Sequence, residues 1–193
     1  IAEALKVNGV LTTLKLERNN IQAEGAKALA GALPVNGMLK VLLLGGNKIA
    51  DEGAAAIAEA LKGNTVLTTL DLQLNNIGPE GAKSIAKALK VNMVLTTPGL
   101  QLNKIAKALK VNEVLSNLTL GWNFISDKGA VAIAVAHQVL NTLHLGANMI
   151  GDIGAIAIAD ALKGNRVLTT LWLEGNNIQD QGAIALADAL KGN

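Results

Sequence analysis

The sequence predicts an α/β solenoid, a curved stack with parallel strands on its concave face and helices on its convex face. Three observations point there. One leucine-led pattern opens at Leu11, returns at even spacing at Leu39 and Leu67, and recurs along the rest of the 193-residue chain. Half of the residues are hydrophobic but only 2% are aromatic, so the core is built of Leu, Ile, Val and Ala, which suits a narrow repeated stack better than an irregular globule. Each unit also switches midway from the period of a strand to that of a helix. One such unit cannot bury its apolar face alone, whereas stacked copies can.

The clearest unit runs from Leu67 to Val94, LTTLDLQLNNIGPEGAKSIAKALKVNMV. Leu70 and Leu72 alternate with Asp71 and Gln73, as in a half-buried strand. Asn75-Asn76-Ile77-Gly78-Pro79 has the residue types of a turn. Ala82, Ile85, Ala86 and Leu89 then recur at helical spacing, and Asn92 stands where a helix C-cap leaves the right-handed region.

In chain order, Ile1–Val10 matches the tail of a unit, so the chain begins inside a helix. Full repeats start at Leu11, Leu39 and Leu67. The fourth, from Leu95, carries Pro98 where the others place a strand leucine, and it is short, because the fifth already starts at Leu115. The tail of the fourth, KIAKALKVNEV, nearly repeats Ser84–Val94. The fifth is mildly short, since the next begins at Leu140, and it loses its helix end at His137-Gln138-Val139. Repeats from Leu140 and Leu168 complete a single domain over residues 1–193. Both ends match the interior pattern, which reads as a fragment of a longer array whose uncapped ends self-associate. The two short repeats read as omissions from the recorded sequence, to be decided by the Cα spacing over residues 102–106 and 136–140.

LxxLxLxxNxI followed by GAxAIAxALKxN resembles the leucine-rich repeat of the ribonuclease-inhibitor type, over nearly the whole chain. ALKVN, GWNFI and AIAVA are most similar to the repeat region of NOD-like receptors. The resemblance implies a leucine-rich-repeat horseshoe that binds proteins, as the sensor region of a larger cytoplasmic receptor. A GTPase activator like that of Ran shares the repeat type, and a consensus-designed array with no natural partner is a third reading. The mammalian ribonuclease inhibitor is cysteine-rich, and this chain has no cysteine.

The physical roles are consistent with that class. The asparagines Asn19, Asn47, Asn75, Asn103, Asn123, Asn148 and Asn176 form an internal ladder, since a buried amide can satisfy backbone groups of a turn too tight to pair with itself. Because every repeat carries one, they are structural rather than catalytic. Glycines such as Gly53, Gly81, Gly154 and Gly182 open the helices and let neighbouring backbones approach. Strands stack at about 4.8 Å and helices at about 8–10 Å, so a helix in every unit bends the stack.

Chemistry has little material. The chain holds His137 and His144, three serines, and no cysteine or tyrosine. No zinc spacing, catalytic triad or phosphate-binding loop is present. No cofactor and no catalytic residue is expected. Asp51-Glu52 and Asp180 read as favourable charges near helix N-termini. The sequon Asn117-Leu118-Thr119 falls on a strand and reads as chance. A formal net charge of +2 does not imply nucleic acid, and no apolar run suits a membrane.

Binding is the better candidate. The outward strand residues, which the repeat does not fix, are Lys15 and Glu17, Leu43 and Gly45, Asp71 and Gln73, Gly99 and Gln101, Thr119 and Gly121, His144 and Gly146, and Trp172 and Glu174. Trp122 lies just past its strand. The core pattern asks for leucine, so neither tryptophan is explained by packing; each either anchors a partner or covers a neighbouring strand. The expected concave site is Lys15, Glu17, Asp71, Gln73, Trp122, His144, Trp172 and Glu174, with a protein partner.

Overall fold

The computed structural model describes residues 1–90, 115–134 and 140–191. Six strands alternate there with seven helices: α1 (Ala2–Val7), β1 (Thr13–Lys15), α2 (Ala23–Ala30), β2 (Val41–Leu43), α3 (Ala50–Gly63), β3 (Thr69–Asp71), α4 (Pro79–Lys90), β4 (Asn117–Thr119), α5 (Ser126–Ala134), β5 (Thr142–His144), α6 (Asp152–Leu162), β6 (Thr170–Trp172) and α7 (Asp180–Leu190). The strands form one parallel sheet in chain order. The register sets like on like, with Leu14, Leu42, Leu70, Leu118, Leu143 and Leu171 in one row. The helices pack neighbour on neighbour from α2 to α7. Helices are wider than strands, so the sheet takes the inner, concave side of the solenoid.

Leucines of the sheet row meet helix residues such as Ile57, Leu61, Ile85 and Ile133 in one continuous core. Leu42, Leu70 and Leu118 are fully buried, and each such side chain contributes about 1.5–3 kcal/mol. The rows open at the ends, where Leu14 and Leu171 are only partly buried. An apolar cavity of about 420 Å³ lies beside Leu16, Ile21 and Leu29 at the first end. One of about 340 Å³ lies beside Leu171, Leu173 and Leu186 at the other.

The asparagine ladder joins adjacent repeats. Asn47 Oδ1 accepts from the Asn19 and Ile21 N–H groups, while its Nδ2 donates to the Leu16 and Leu44 carbonyls. Asn123 serves Asn75, Ile77, Leu72 and Leu120 in the same way, and Asn176 serves Asn148, Ile150, Leu145 and Leu173. A second series closes the helix-to-strand turns. Asn8, Asn36, Asn64 and Asn165 each accept from the backbone N–H groups two and three residues ahead, at 2.7–3.0 Å. Asn8 and Asn64, at the ends of α1 and α3, have left the right-handed region and are extended, with ψ of 116° and 127°, because the side chain itself closes the turn; Asn92 lies outside the described residues.

Helix starts are capped from the preceding repeat. Asp51 of α3 accepts from the Gly78 and Gly81 N–H groups at the start of α4. Asp127 of α5 serves α6 through Gly151 and Gly154, and Asp152 of α6 serves α7 through Gln179 and Gly182. The glycines have a steric reason as well. A Cβ on Gly53 would lie 2.9 Å from Ala26 Cβ, and one on Gly182 2.8 Å from Ala155 Cβ.

β3 pairs directly with β4, with Thr69 opposite Asn117. The chain between these partners is far longer than between Val41 and Thr69 before them or Asn117 and Thr142 after them. Asn123 is accordingly the rung next to Asn75. The strand expected from Leu95 and the rung expected at Asn103 lie outside the described residues. Pro98, Gly99, Gln101, Asn103 and His137, and the junctions at 102–106 and 136–139, lie outside the described residues.

Candidate functional site

The strand register lines Lys15, Leu43, Asp71, Thr119, His144 and Trp172 into one outward row of the concave face. Two residues further on lie Glu17, Gly45, Gln73, Gly121, Gly146 and Glu174. Lys15 and Glu17 belong to the first strand and its exit, distant in the stack from the cluster at the C-terminal end.

That cluster is a built arrangement. His144 Nε2 lies 2.7 Å from Glu174 Oε1, and its ring meets the Trp172 ring edge-on with centroids 4.8 Å apart. The hydrogen bond from His144 holds the Glu174 carboxyl below its ordinary range. Glycine makes room for these side chains. A Cβ on Gly121 would come within 2.8 Å of the imidazole, and one on Gly146 would run into Glu174. Trp172 therefore does cover a neighbouring strand residue, yet it remains 52% exposed. Asp71 accepts from the Gln73 backbone N–H and from Gln73 Nε2, at 2.9 and 3.2 Å. Burial raises the Asp71 carboxyl above its ordinary range.

Trp122 is placed differently. It sits on the loop that leaves β4, not on the strand face, and is 61% exposed. Its φ is +56°, and the equivalent loop residues Arg18, Gly46, Leu74, Ala147 and Gly175 share a positive φ. Contacts from the next repeat pin this loop; the Trp122 N–H donates to the Gly146 carbonyl at 2.8 Å. Beside it stand Phe124 and Met149, also exposed. With Leu74 they border an open groove of about 380 Å³. Trp122 stands out in the sequence, whereas Leu74, Phe124 and Met149 do not. The missing signal was the pair of loop columns read down the repeats, where the other units place Arg18, Gly46, Ala147 and Gly175 in one and Asn20, Lys48, Asn76 and Asn177 in the next.

Among the described residues no group of His, Asp or Glu could hold a metal ion, and no helix is long and apolar enough to cross a membrane. Asn117, the sequon residue, is half-buried on β4 and donates to Ser116 Oγ.

A stack of strand–helix units with a buried asparagine in the turn defines a repeat scaffold. The family model described as Leucine Rich repeat matches residues 7–30, 35–58, 63–86, 111–134, 136–159 and 164–187, and the chain belongs to that family. No curated protein sequence matches it. Among solved structures it is similar to the actin-binding site 2 of leiomodin-1, with 20% identity and a TM-score of 0.58, over 98% of this chain and 85% of that one. It is also similar to an internalin (inlF) from Listeria monocytogenes, with 23% identity and a TM-score of 0.52, over 92% of this chain and 46% of that one. At these identities the likeness is one of fold.

Proposed function

We propose that the chain is a non-catalytic scaffold that binds a protein partner on the concave strand face. Its working part is the C-terminal cluster of His144, Trp172 and Glu174 together with Asp71 and Gln73 at β3 on the same face, and it serves as the sensor region of a larger cytoplasmic receptor. The ribonuclease-inhibitor and NOD-like resemblance of the repeats supports the receptor reading. The observation that carries the binding reading is Trp172. It is half exposed on a strand where packing asks for no aromatic, and its orientation is fixed by the His144 ring and the His144–Glu174 contact. Preorganised aromatic anchors of this kind lower the ordering cost of association.

Panning a displayed library of small folded domains against the chain tests this. Recovered binders should lose about tenfold or more in affinity on Trp172→Ala, a loss of the size expected for an anchor residue. They should be indifferent to Ile153→Ser, an exposed change on α6. Binders that respond only to the helix-side change would refute the concave site.

A further inference from the structure

We propose that the partner of the concave face is basic: one lysine or arginine side chain packs on Trp172 beside Glu174, and a second reaches Asp71. This names the partner chemistry of the concave site and rests on that reading.

The argument comes from where the chain places its charges. On the helices the carboxylates are met. Lys27 pairs with Glu24 and Glu52, Lys62 with Glu59, Lys163 with Asp160 and Lys191 with Asp188. Asp51, Asp127 and Asp152 cap the next helix. The concave side is different. Among the described residues no lysine or arginine nitrogen lies within ion-pair distance of Glu17, Asp71 or Glu174. Cations are not scarce, since the chain holds 17 Lys and Arg against 15 Asp and Glu. They are placed elsewhere. Lys15 stands on the outward row only at the β1 end. From β3 to β6 that row and the positions two residues further on carry Asp71 and Glu174 and no lysine or arginine. The loops that follow, at 74–76, 122–124, 147–149 and 175–177, carry no charge at all. A surface with this field draws cationic groups and repels acidic ones.

The side chains themselves suit such a partner. Glu174 meets the His144 ring through Oε1, yet its side chain stays 59% exposed. Trp172, two residues earlier, is 52% exposed. An indole face attracts a cation to within about 6 Å of the ring, and a carboxylate about 7 Å along the same strand line can accept its N–H groups. Asp71 is the second point. Burial, and less strongly the Glu17 charge, raise its carboxyl, so its charge is unmet in the free chain. Asp71 and Trp172 occupy the same row three strands apart, which is about 14 Å at 4.8 Å per strand. An extended segment crossing the sheet covers that in about four residues. The floor between them is low, because Gly121 and Gly146 have no side chain and the His144 ring lies over both.

The test uses the intact chain and binders recovered from the displayed library of small folded domains. Those weakened by Trp172→Ala are kept, and their lysines and arginines are replaced one at a time. Two such replacements should each weaken binding by about tenfold or more. Glu174→Gln and Asp71→Asn should do the same, and double-mutant cycles should couple each to a different cation of the binder. Raising salt from about 0.05 to about 0.5 M should weaken binding by about tenfold or more. Thr119→Lys sets a like charge between the two points without removing any contact residue. It should weaken the binders by about tenfold or more, while Thr119→Gln leaves them unchanged and both variants keep the parent circular dichroism spectrum. Trp172-dependent binders whose contacts are acidic or uncharged would overturn the proposal. So would binders that ignore salt, tolerate Thr119→Lys, or tolerate both Glu174→Gln and Asp71→Asn. Each of these results would leave the concave site standing. Binders indifferent to Trp172→Ala would instead remove the concave site, and this proposal with it.

Discussion

Asn123→Ala is the sharpest probe of how the repeats hold together. The residue is 3% exposed and joins the two units that flank the long connection between β3 and β4. Its Oδ1 takes the N–H groups of Asn75 at 3.0 Å and Ile77 at 2.8 Å. Its Nδ2 reaches the carbonyls of Leu72 at 3.1 Å and Leu120 at 2.9 Å. Truncation strands two buried donors at about 1–3 kcal/mol each, so roughly 2–6 kcal/mol, with the lower end reached if water enters the vacated polar space. A typical domain has only about 5–15 kcal/mol of stability, so the loss would be large. Asn19 is the matched control. It is exposed at the end of the ladder and its side chain donates only to Glu17 of its own repeat, so Asn19→Ala should stay within about 0.5 kcal/mol. Asn123→Asp should be no better than alanine, since it keeps the acceptor but sets carboxylate oxygens against the Leu72, Leu120 and Gly121 carbonyls. Urea unfolding followed by far-ultraviolet circular dichroism reads all three. Equal midpoints for Asn123→Ala and Asn19→Ala would refute the ladder as a source of stability.

Other outcomes follow from the same geometry. Leu70→Ala, at a fully buried row position, should cost about 2–5 kcal/mol, while Asp71→Ala on the open face should stay within about 0.5 kcal/mol; equal losses in urea would mean the strand faces are reversed. Asp51→Ala should lower the unfolding free energy by about 0.5–2 kcal/mol, the usual worth of a cap, and hydrogen exchange should localise the loss to the first turn of α4 rather than to α3. The Asp71 carboxyl is raised by burial, so its destabilising charge develops as pH rises from the unfolded value of about 3.9 through the folded one. Asp71→Asn should then raise the urea midpoint at pH 7 and leave it unchanged well below pH 3.9, whereas Glu174→Gln, replacing a carboxyl that is lowered, should reduce it at pH 7 with the difference fading as acid titrates the folded group. The apolar cavities at both ends of the stack should make the isolated chain self-associate, seen as a concentration-dependent mass in light scattering; a strictly monomeric chain would count against it.

What was legible in the sequence was whatever each repeat states again. Leucine rows, inward and outward strand faces, and the asparagine rungs follow from positions that recur, so weak local signals reinforce one another. The helix caps were not legible, because they pair residues 24 to 30 apart in one repeat with the next and look, locally, like ordinary acids in a first helical turn. The turn asparagines were legible as helix ends that leave the right-handed region, but the hydrogen bonds by which each side chain closes its turn were not, because many residue types end a helix. In the candidate site, the concave residues could be placed by counting along strands. The loop-edge groove could not, because Leu74, Trp122, Phe124 and Met149 converge only when the repeats are stacked.

The rung between β3 and β4 is chemically the same as the one between β1 and β2, although much more chain separates Thr69 from its partner Asn117 than Thr13 from Val41. A junction therefore recognises only the unit docked on it and is indifferent to the length of the tether. Molecules joined in this way can lengthen by copying a unit, or carry an extra segment between two units, without re-solving any interface. Whatever is inserted is relieved of the duty of holding the stack, and so is free to change faster than the units on either side.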